Sequence, residues 1–324
     1  MPYRVEYPSQ VVLDFESLVI QGITAVDYDN AINTFRGFNT GFPYPEFVAA
    51  LTNNPVWTSS SFALDSVIHS TCVAFAPNVF QVQAYCPGGI VYISTILASC
   101  PEPRVDPLDP AHGLAEINQC LLVLNRIRCR VGEAAVAEYT IFPLWDGVNR
   151  PVEWAFNLPV TPYPTPFHNE VYTIGGVVID GFLIDGITEV AIEFNPEIET
   201  VTVNAGPWPT WISLKQAMPT ISVECLDLTR AFAYPQEGTS FVDGAVVFFQ
   251  RLDNTHLLGA VGGRLGYLEF AHIAVAAAEG LSSVRRVSMP GTNEIVRTSI
   301  LLEPNATPTG SPVVINTEVQ IELP

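Results

Sequence analysis

The chain has 324 residues, of which 48% are hydrophobic and only 15% are charged, and its formal net charge at pH 7 is −19. This length allows one or two domains with a full core, and the acidic balance excludes tight binding of nucleic acid, which needs clustered Lys and Arg against the phosphates. Charge this scarce provides little polar surface for a monomer, so we expect much of the surface to be buried against neighbouring subunits.

The N-terminal sequence, Met1-Pro-Tyr-Arg-Val-Glu6, lacks the basic and then apolar segments of a secretory signal. No apolar run in the chain reaches the ~18 residues of a membrane-spanning helix. We therefore expect no membrane partner.

Residues 19–69 and 183–233 resemble each other at one constant offset in residue number, 164, without a gap. Four of the nine identities are glycine or proline, and both are residue types that the backbone conformation dictates. A period this long is far beyond that of solenoid repeats, so each copy should be a whole domain. The identical pairs are Ile20/Ile184, Gly22/Gly186, Ile23/Ile187, Thr24/Thr188, Val26/Val190, Pro43/Pro207, Pro45/Pro209, Pro55/Pro219 and Leu64/Leu228.

Most of the chain is predicted to form short strands, because 27 prolines and frequent glycines interrupt its apolar runs. Residues 171–203 alternate apolar and polar side chains, as half-buried strands do. Val136–Pro143 and Val296–Glu303 are similar at an offset of 160, and each is predicted to be the closing strand of its copy.

Helices are predicted at four places. Gly113–Cys129 has apolar residues near helical spacing, and the Ala-rich Leu268–Glu279 is its expected counterpart. Short helices are predicted over Ser61–Ile68 and Cys225–Phe232, with Ser61 and Glu224 near their N-termini.

The proline-rich segment 151–170 is predicted to be a stiff linker. It divides the chain into a first β domain, residues 1–150, and a second β domain, residues 171–310. Residues 311–324 are predicted to be a C-terminal strand or arm, which could add to the sheet edge of a neighbouring subunit.

Catalytic and metal-binding patterns are missing from the sequence. The five histidines are scattered and no HExxH is present, the six cysteines form no CxxC pair, and the nucleophile elbow Gly-x-Ser-x-Gly is absent. Gly259–Gly266 lacks the spacing of a phosphate-binding loop and is predicted to be a turn. We therefore predict no enzyme, no cofactor and no metal site, and small buried hydrophobic roles for the cysteines.

Aromatic residues flank the second proline of the repeated Pro-x-Pro motif in both copies: Trp208 and Trp211 flank Pro209, and Tyr44 and Phe47 are the equivalent residues of the first copy. They could form a platform for sugar binding. Because the same positions are aromatic in both copies, we favour a shared structural role, in which the loop packs under the domain or against a neighbour.

The pattern Ile-x-Gly-Ile-Thr-x-Val, followed by Pro-x-Pro and then Pro-x-x-Thr/Ser, resembles the tail-tube proteins of long-tailed bacteriophages and tailed archaeal viruses. The resemblance covers about 50 residues in each half. It implies tandem β-sandwich or β-barrel domains with a flanking helix, so that the expected fold class is mainly β with a few helices (α+β).

The resemblance also implies a function: a virion structural protein, made in the host cytoplasm, whose homotrimers form pseudo-sixfold rings. The rings would stack into a tube, contact other tail proteins and let DNA pass without specific binding, since an acidic lumen repels phosphates. Two alternatives remain: a double-jelly-roll capsid protein, and a carbohydrate-binding or adhesin module.

Overall fold

The computed structural model describes residues 4–13, 19–20, 22–38, 44–70, 86–97, 112–158, 171–203, 206–226, 238–252, 260–261, 264–265, 272–288, 295–306 and 311–319. Most of them lie in antiparallel strands, and one helix occurs within these ranges. The mainly β fold predicted from short runs between prolines and glycines is therefore confirmed.

Residues 4–158, called the first unit below, contain eight strands and the helix α1. The strand β6 takes part in two sheets: its N-terminal part lies between β5 and β8, and its C-terminal part pairs with β7. The two sheets have the orders β2-β1-β5-β6-β8 and β6-β7-β4-β3. The bounds are β1 Arg4–Leu13, β2 Val19–Ile20, β3 Ile23–Phe38, β4 Pro45–Ser61, α1 Leu64–Ser70, β5 Cys86–Leu97, β6 His112–Arg130, β7 Val136–Leu144 and β8 Val152–Leu158.

Residues 171–319, called the second unit, also build two larger sheets, with the orders β10-β9-β16-β19-β22 and β15-β20-β21-β14-β11. Two separate hairpins, β12–β13 and β17–β18, complete this unit. The bounds are β9 Val171–Ile179, β10 Phe182–Leu183, β11 Ile187–Glu193, β12 Pro196–Val201, β13 Trp211–Ala217, β14 Thr220–Cys225, β15 Thr239–Phe241, β16 Ala245–Leu252, β17 Ala260–Val261, β18 Arg264–Leu265, β19 His272–Ala277, β20 Gly280–Ser288, β21 Arg297–Pro304 and β22 Val314–Val319.

The long hairpin of the first unit and its counterpart in the second have the same pairing register. Ile23 pairs with Ser61, and Ile187 pairs with Cys225, so both partners are displaced by the offset of the sequence repeat. The irregularities at Ile23/Ala25 and Asn33/Thr34 recur at Ile187/Glu189 and Glu197/Ile198, which are the same offset away.

Backbone details at the start of this hairpin also recur. Gly22 and Gly186 have φ angles of 61° and 63°. Their carbonyls accept hydrogen bonds from the amides of Phe62 and Leu226 at 3.1 and 2.9 Å. The hydroxyls of Thr24 and Thr188 both donate across the hairpin, at 3.2 Å, to the carbonyls of Ser60 and Glu224. The repeated Gly-Ile-Thr sequence therefore encodes one local geometry twice.

The long strand β6 corresponds to β19 and β20 together, at an offset of 160. Its register shifts at His112/Leu114 and Leu124/Arg126 recur at His272/Ala274 and Val284/Arg286. The neighbouring strands β7 and β8 correspond to β21 and β22 one residue further along, because Arg128 pairs with Val136 while Ser288 pairs with Arg297. The sequence comparison at offset 160 is thus one residue out of register for the closing strands.

One apolar core cluster contains side chains from both sheets of both units. Ile127 and Tyr139 of the first unit belong to it, as do Val190, Phe249 and Ile300 of the second, all at most 1% exposed. Burying a side chain of this size contributes about 1.5–3 kcal/mol, so the shared core stabilises the two units together.

The prediction of a helix over Gly113–Cys129 is wrong, because this segment is the strand β6. In its middle, Cys120–Leu124 are buried on both faces, so the apolar residues run on without the alternation of a half-buried strand. The register shift between Leu124 and Arg126 then changes which face points inward. Together these features mimic the spacing of an amphipathic helix.

The helix predicted over Leu268–Glu279 is also wrong where the structure describes it, since His272–Ala277 is the strand β19. Its alanines suit a strand that lies between β16 and β22 and is buried on both faces, so tertiary pairing overrides helix propensity. The short helix near Ser61–Ile68 is confirmed as α1. The one predicted over Cys225–Phe232 is wrong at Cys225, which ends β14, and 227–232 lie outside the described residues.

Segment 151–170 is not a linker throughout. Residues 152–158 form β8, which pairs with β6, and Val152 is buried; 159–170 lie outside the described residues. Part of the predicted C-terminal arm is an internal strand as well, because β22 pairs with β19 of its own chain. Its alternating sequence encoded a strand correctly but could not specify the partner.

Candidate assembly interface

The two units are joined by a strand pairing between β6 and β11. Arg126 to Arg130 lie opposite Glu193 to Glu189 in antiparallel register. Beyond this register, the amide of Phe194 donates to the carbonyl of Asn125 at 2.8 Å. Both units thereby belong to one thirteen-stranded sheet.

Two ion pairs cross this join. Arg126 Nε lies 3.5 Å from Glu193 Oε1, and Arg130 Nε donates to Glu189 Oε2 at 2.8 Å. The hydrogen bond from Arg130 to Glu189 raises the pKa of that guanidinium. Because these side chains are partly exposed, the ion pairs contribute little to stability and mainly set the register.

A second contact between the units is the hairpin β12–β13, which packs on β6 and β7 of the first unit. Its Ile212 shares a small buried cluster with Leu121, Val123 and Leu144. Phe142 of β7 and Ile198 and Leu214 of the hairpin pack against the cluster. The outward face of β6 is apolar here because the hairpin covers it.

The tip of this hairpin is held by Trp145, which follows β7. The Trp145 amide donates to the Pro209 carbonyl at 2.9 Å, and the rings of Trp145 and Trp208 lie 6.0 Å apart. A Cβ at Gly206 would lie 2.9 Å from the Trp145 ring, so only glycine allows this approach. The Asn53 amide of β4 also donates to the tip, at the Pro207 carbonyl.

The equivalent hairpin of the first unit, the outer part of β3 and β4, shows no such support among the described residues. Residues 31–36 and 47–51 are all exposed, on both faces of the hairpin. Large apolar side chains are among them: Ile32, Phe35, Phe47, Val48 and Leu51 are each about half exposed, at 48–57%. Phe35 and Phe47 contact each other across the hairpin, with ring centroids 5.7 Å apart. We call residues 31–38 and 44–52 the free hairpin.

Among the strand edges that are unpaired within the described residues are those of β3 and of part of β20. The strand β3 pairs with β4 alone, although its counterpart β11 pairs on both sides. The strand β20 pairs with β15 only at Gly280 to Ser282, which leaves 284–288 open on that edge. Its counterpart in the first unit, the end of β6, is the part that pairs with β11.

The aromatic positions flanking Pro-x-Pro do not share one environment. Trp208 packs on Trp145 inside the chain, whereas Tyr44, at the equivalent position, is 76% exposed. Trp211 and Phe47 are both about half exposed. Trp208 has the structural packing role predicted for these positions, and the sugar platform stays a prediction.

Cys120, Cys129 and Cys225 are buried, as the sequence predicted for small hydrophobic residues. Burial raises the pKa of Cys120 to about 12. Among the other chemistry-bearing residues, His112 and His272 begin equivalent strands, while His168, His256, Cys72 and Cys100 lie outside the described residues. Within Gly259–Gly266, the described residues form the short hairpin β17–β18.

No group of His, Cys, Asp and Glu in the described ranges could hold a metal ion. No helix among those ranges is long and apolar enough to span a membrane. No protein-family model and no curated protein matches the chain.

The join between the units was not predicted from the sequence. The signal was present as Arg126-x-Arg128-x-Arg130, whose alternation places three cations on one face of a strand, and as Glu189 and Glu193 with the same parity. The apolar residues of the same segment have helical spacing, and in a helix the three arginines would not all lie on one face.

Proposed function

We propose that the protein is a structural subunit of a viral tail tube, built from two tandem duplicated β domains. The observation that carries this proposal is the join between β6 and β11, in which one unit continues the sheet of an equivalent unit. A contact formed between units inside one chain can also form between units of different chains. Three chains would supply six such units, which suits a pseudo-sixfold ring.

The matching registers support the duplication. Two unrelated β segments can share turn residues, but the coincidence of four register shifts at fixed offsets is best explained by a common origin. Register shifts are usually retained within families because they re-aim strands.

The net charge of −19 supports a channel through which DNA passes without being held. In this proposal the rings stack into a tube and contact other tail proteins, the subunits are made in the host cytoplasm, and the protein is not an enzyme. The free hairpin and the open strand edges are the surfaces available for contact between subunits.

Negative-stain imaging of the purified protein tests this proposal. We expect rings with six equal lobes and three chains each, or tubes made of stacked rings. Closed shells would favour the capsid alternative. A homogeneous monomer at all concentrations and salt conditions, together with binding to a glycan array, would favour the adhesin alternative and contradict the tube.

A further inference from the structure

The internal join specifies which residues of the chain would form the same join with another copy. At the offset that relates β11 to β3, Glu193 corresponds to Asp29 and Ala191 to Asp27. At the offset that relates the end of β6 to β20, Arg126 corresponds to Arg286 and Arg128 to Ser288. The equivalent partners are therefore β3 and β20, and the edges that would form the join are open on both strands within the described residues.

These edges are chemically complementary. In the equivalent register Asp29 lies opposite Arg286, as Glu193 lies opposite Arg126 within the chain. Neither Asp29 nor Arg286 forms an ion pair within the described part of the chain. The charges at the two positions match those of the internal pair, with Asp29 in place of Glu193 and Arg286 in place of Arg126. Opposite charges directly across a strand pair favour this register over a slipped one.

The free hairpin has a matching acceptor. Its counterpart β12–β13 packs on Leu121 of β6, and the position equivalent to Leu121 on β20 is Leu281, a leucine that is 39% exposed. The hairpin residue equivalent to the buried Ile212 is Val48, which is exposed. Val48 and Leu281 would thus meet at the centre of the contact.

Around this centre, both surfaces are more polar than the corresponding surfaces of the internal contact. On the hairpin, Ile198 and Leu214 of the internal contact correspond to Thr34 and Ala50. On the acceptor, Val123, Phe142 and Leu144 correspond to Ser283, Glu303 and Asn305. A contact made between separate chains must also be soluble when open, and such interfaces have more polar rims than a permanent core.

We propose that two copies of this chain bind head to tail, with the β3 edge of one copy paired to the β20 edge of the next, Asp29 opposite Arg286. The free hairpin of the first copy packs at the same time on β20 and β21 of the second copy. This inference rests on the proposed function only in requiring that copies of the chain assemble. It adds which surfaces of the copies meet, the strand register in which they pair, and the head-to-tail direction of the assembly.

Site-directed disulfide crosslinking tests the register. One variant carries Asp29→Cys and another carries Arg286→Cys, and the two purified proteins are mixed and oxidised with copper phenanthroline. Residues directly opposite in antiparallel strands have Cα atoms about 4.5–5.5 Å apart, within the range that a disulfide bridges. We expect a covalent dimer in the mixture and none with either variant alone.

A matched control replaces Asp29→Cys by Asp243→Cys, which places the thiol at an exposed acidic position of the second unit, outside the proposed contact. This control mixed with Arg286→Cys should give no dimer, as should the unmodified chain with its native cysteines. Equal dimer yields from the control and the test mixture would overturn the proposed register.

A chain that carries both Asp29→Cys and Arg286→Cys tests the contact and the trimeric ring separately. A ladder that ends at three chains supports both the contact and the proposed function. A ladder that continues beyond three supports the contact but contradicts a closed trimer. Rings in micrographs without any crosslink in the mixture would overturn the contact and leave the proposed function standing.

Discussion

At the join between the units, Arg126 lies opposite Glu193, and the equivalent positions on the open edges of β20 and β3 are Arg286 and Asp29. A partly exposed pair of this kind contributes little energy, but a like-charged pair in the same place is strongly unfavourable. Charge at these two positions should therefore control whether copies of the chain associate.

We predict that Asp29→Lys weakens self-association by roughly tenfold or more, because lysine would face Arg286. Adding Arg286→Glu on the same chain restores opposite charges and should recover most of the association. Sedimentation velocity over a concentration series measures both effects. Asp243→Lys, which makes the same charge change away from the contact, should leave association unchanged; if the double variant is no better than Asp29→Lys alone, the pairing is wrong.

Gly22 occupies a backbone conformation that only glycine adopts without strain, with φ at 61°, and a Cβ there would overlap the ring of Phe62. Gly181 has a similar φ of 74° but open space around its missing Cβ. We predict that Gly181→Ala costs about 1–2 kcal/mol from strain alone. Gly22→Ala should cost about 1–3 kcal/mol more, because the clash is added.

Urea denaturation of both variants measures this difference in the free energy of unfolding. Equal losses would mean that Phe62 does not pack over Gly22. The result also bears on the repeat, since Gly186 has the same conformation and its missing Cβ faces Leu226.

At the scale of elements, the two outer hairpins have equivalent strands and opposite environments. Ile212 of the hairpin β12–β13 is buried, whereas Val48 of the free hairpin is 57% exposed. We predict that Ile212→Ala lowers the free energy of unfolding by about 2–4 kcal/mol through the cavity it leaves. Val48→Ala should change the stability of the isolated chain by less than about 0.5 kcal/mol.

A second prediction for Val48 concerns the self-association of the chain. Val48→Asp is expected to leave the unfolding curve of the isolated chain nearly unchanged and to weaken assembly, because it places a charge at the apolar centre of the contact. The matched control is Val148→Asp, at a position 85% exposed in the loop after β7. If Val48→Asp assembles as well as Val148→Asp, the free hairpin is not part of the contact.

The sequence predicted strands better than it predicted helices or the pairing of strands with one another. Glycine and proline encode local geometry, so the turn at Gly22 and Gly186 and the strands between prolines could be inferred. The strand β6 could not, because burial on both faces and one register shift gave its apolar residues a helical spacing. Whether β22 pairs with its own chain depends on contacts distant in sequence, which alternation alone does not encode.

The sequence predicted only part of the candidate interface. The constant offset between the two copies indicated equivalent units and the scarce charge indicated buried surface, but neither identifies an edge. Asp29 and Arg286 become partners only when the register of β6 against β11 is known. The pairing of strands far apart in sequence was therefore the missing information.

For the whole molecule, the net charge of −19 and the absence of a cluster of lysines predict weak contact with DNA. We predict no retention of a duplex at micromolar protein and physiological salt in a gel-shift assay, for monomers and assembled particles alike. A variant with Asp27→Lys and Asp29→Lys, which reverses two charges on one edge, is a useful comparison because its local basic patch should bind more. Tight binding of the duplex by the unmodified protein would contradict a channel through which DNA passes without being held.

The central claim is that equivalent units continue one sheet from chain to chain. A cryo-electron microscopy map of the assembled protein tests it most directly. We predict six similar lobes from three chains, with β3 of each chain hydrogen-bonded to β20 of the next and Asp29 opposite Arg286. A map in which copies contact through other surfaces, with both strand edges open to solvent, would contradict the account.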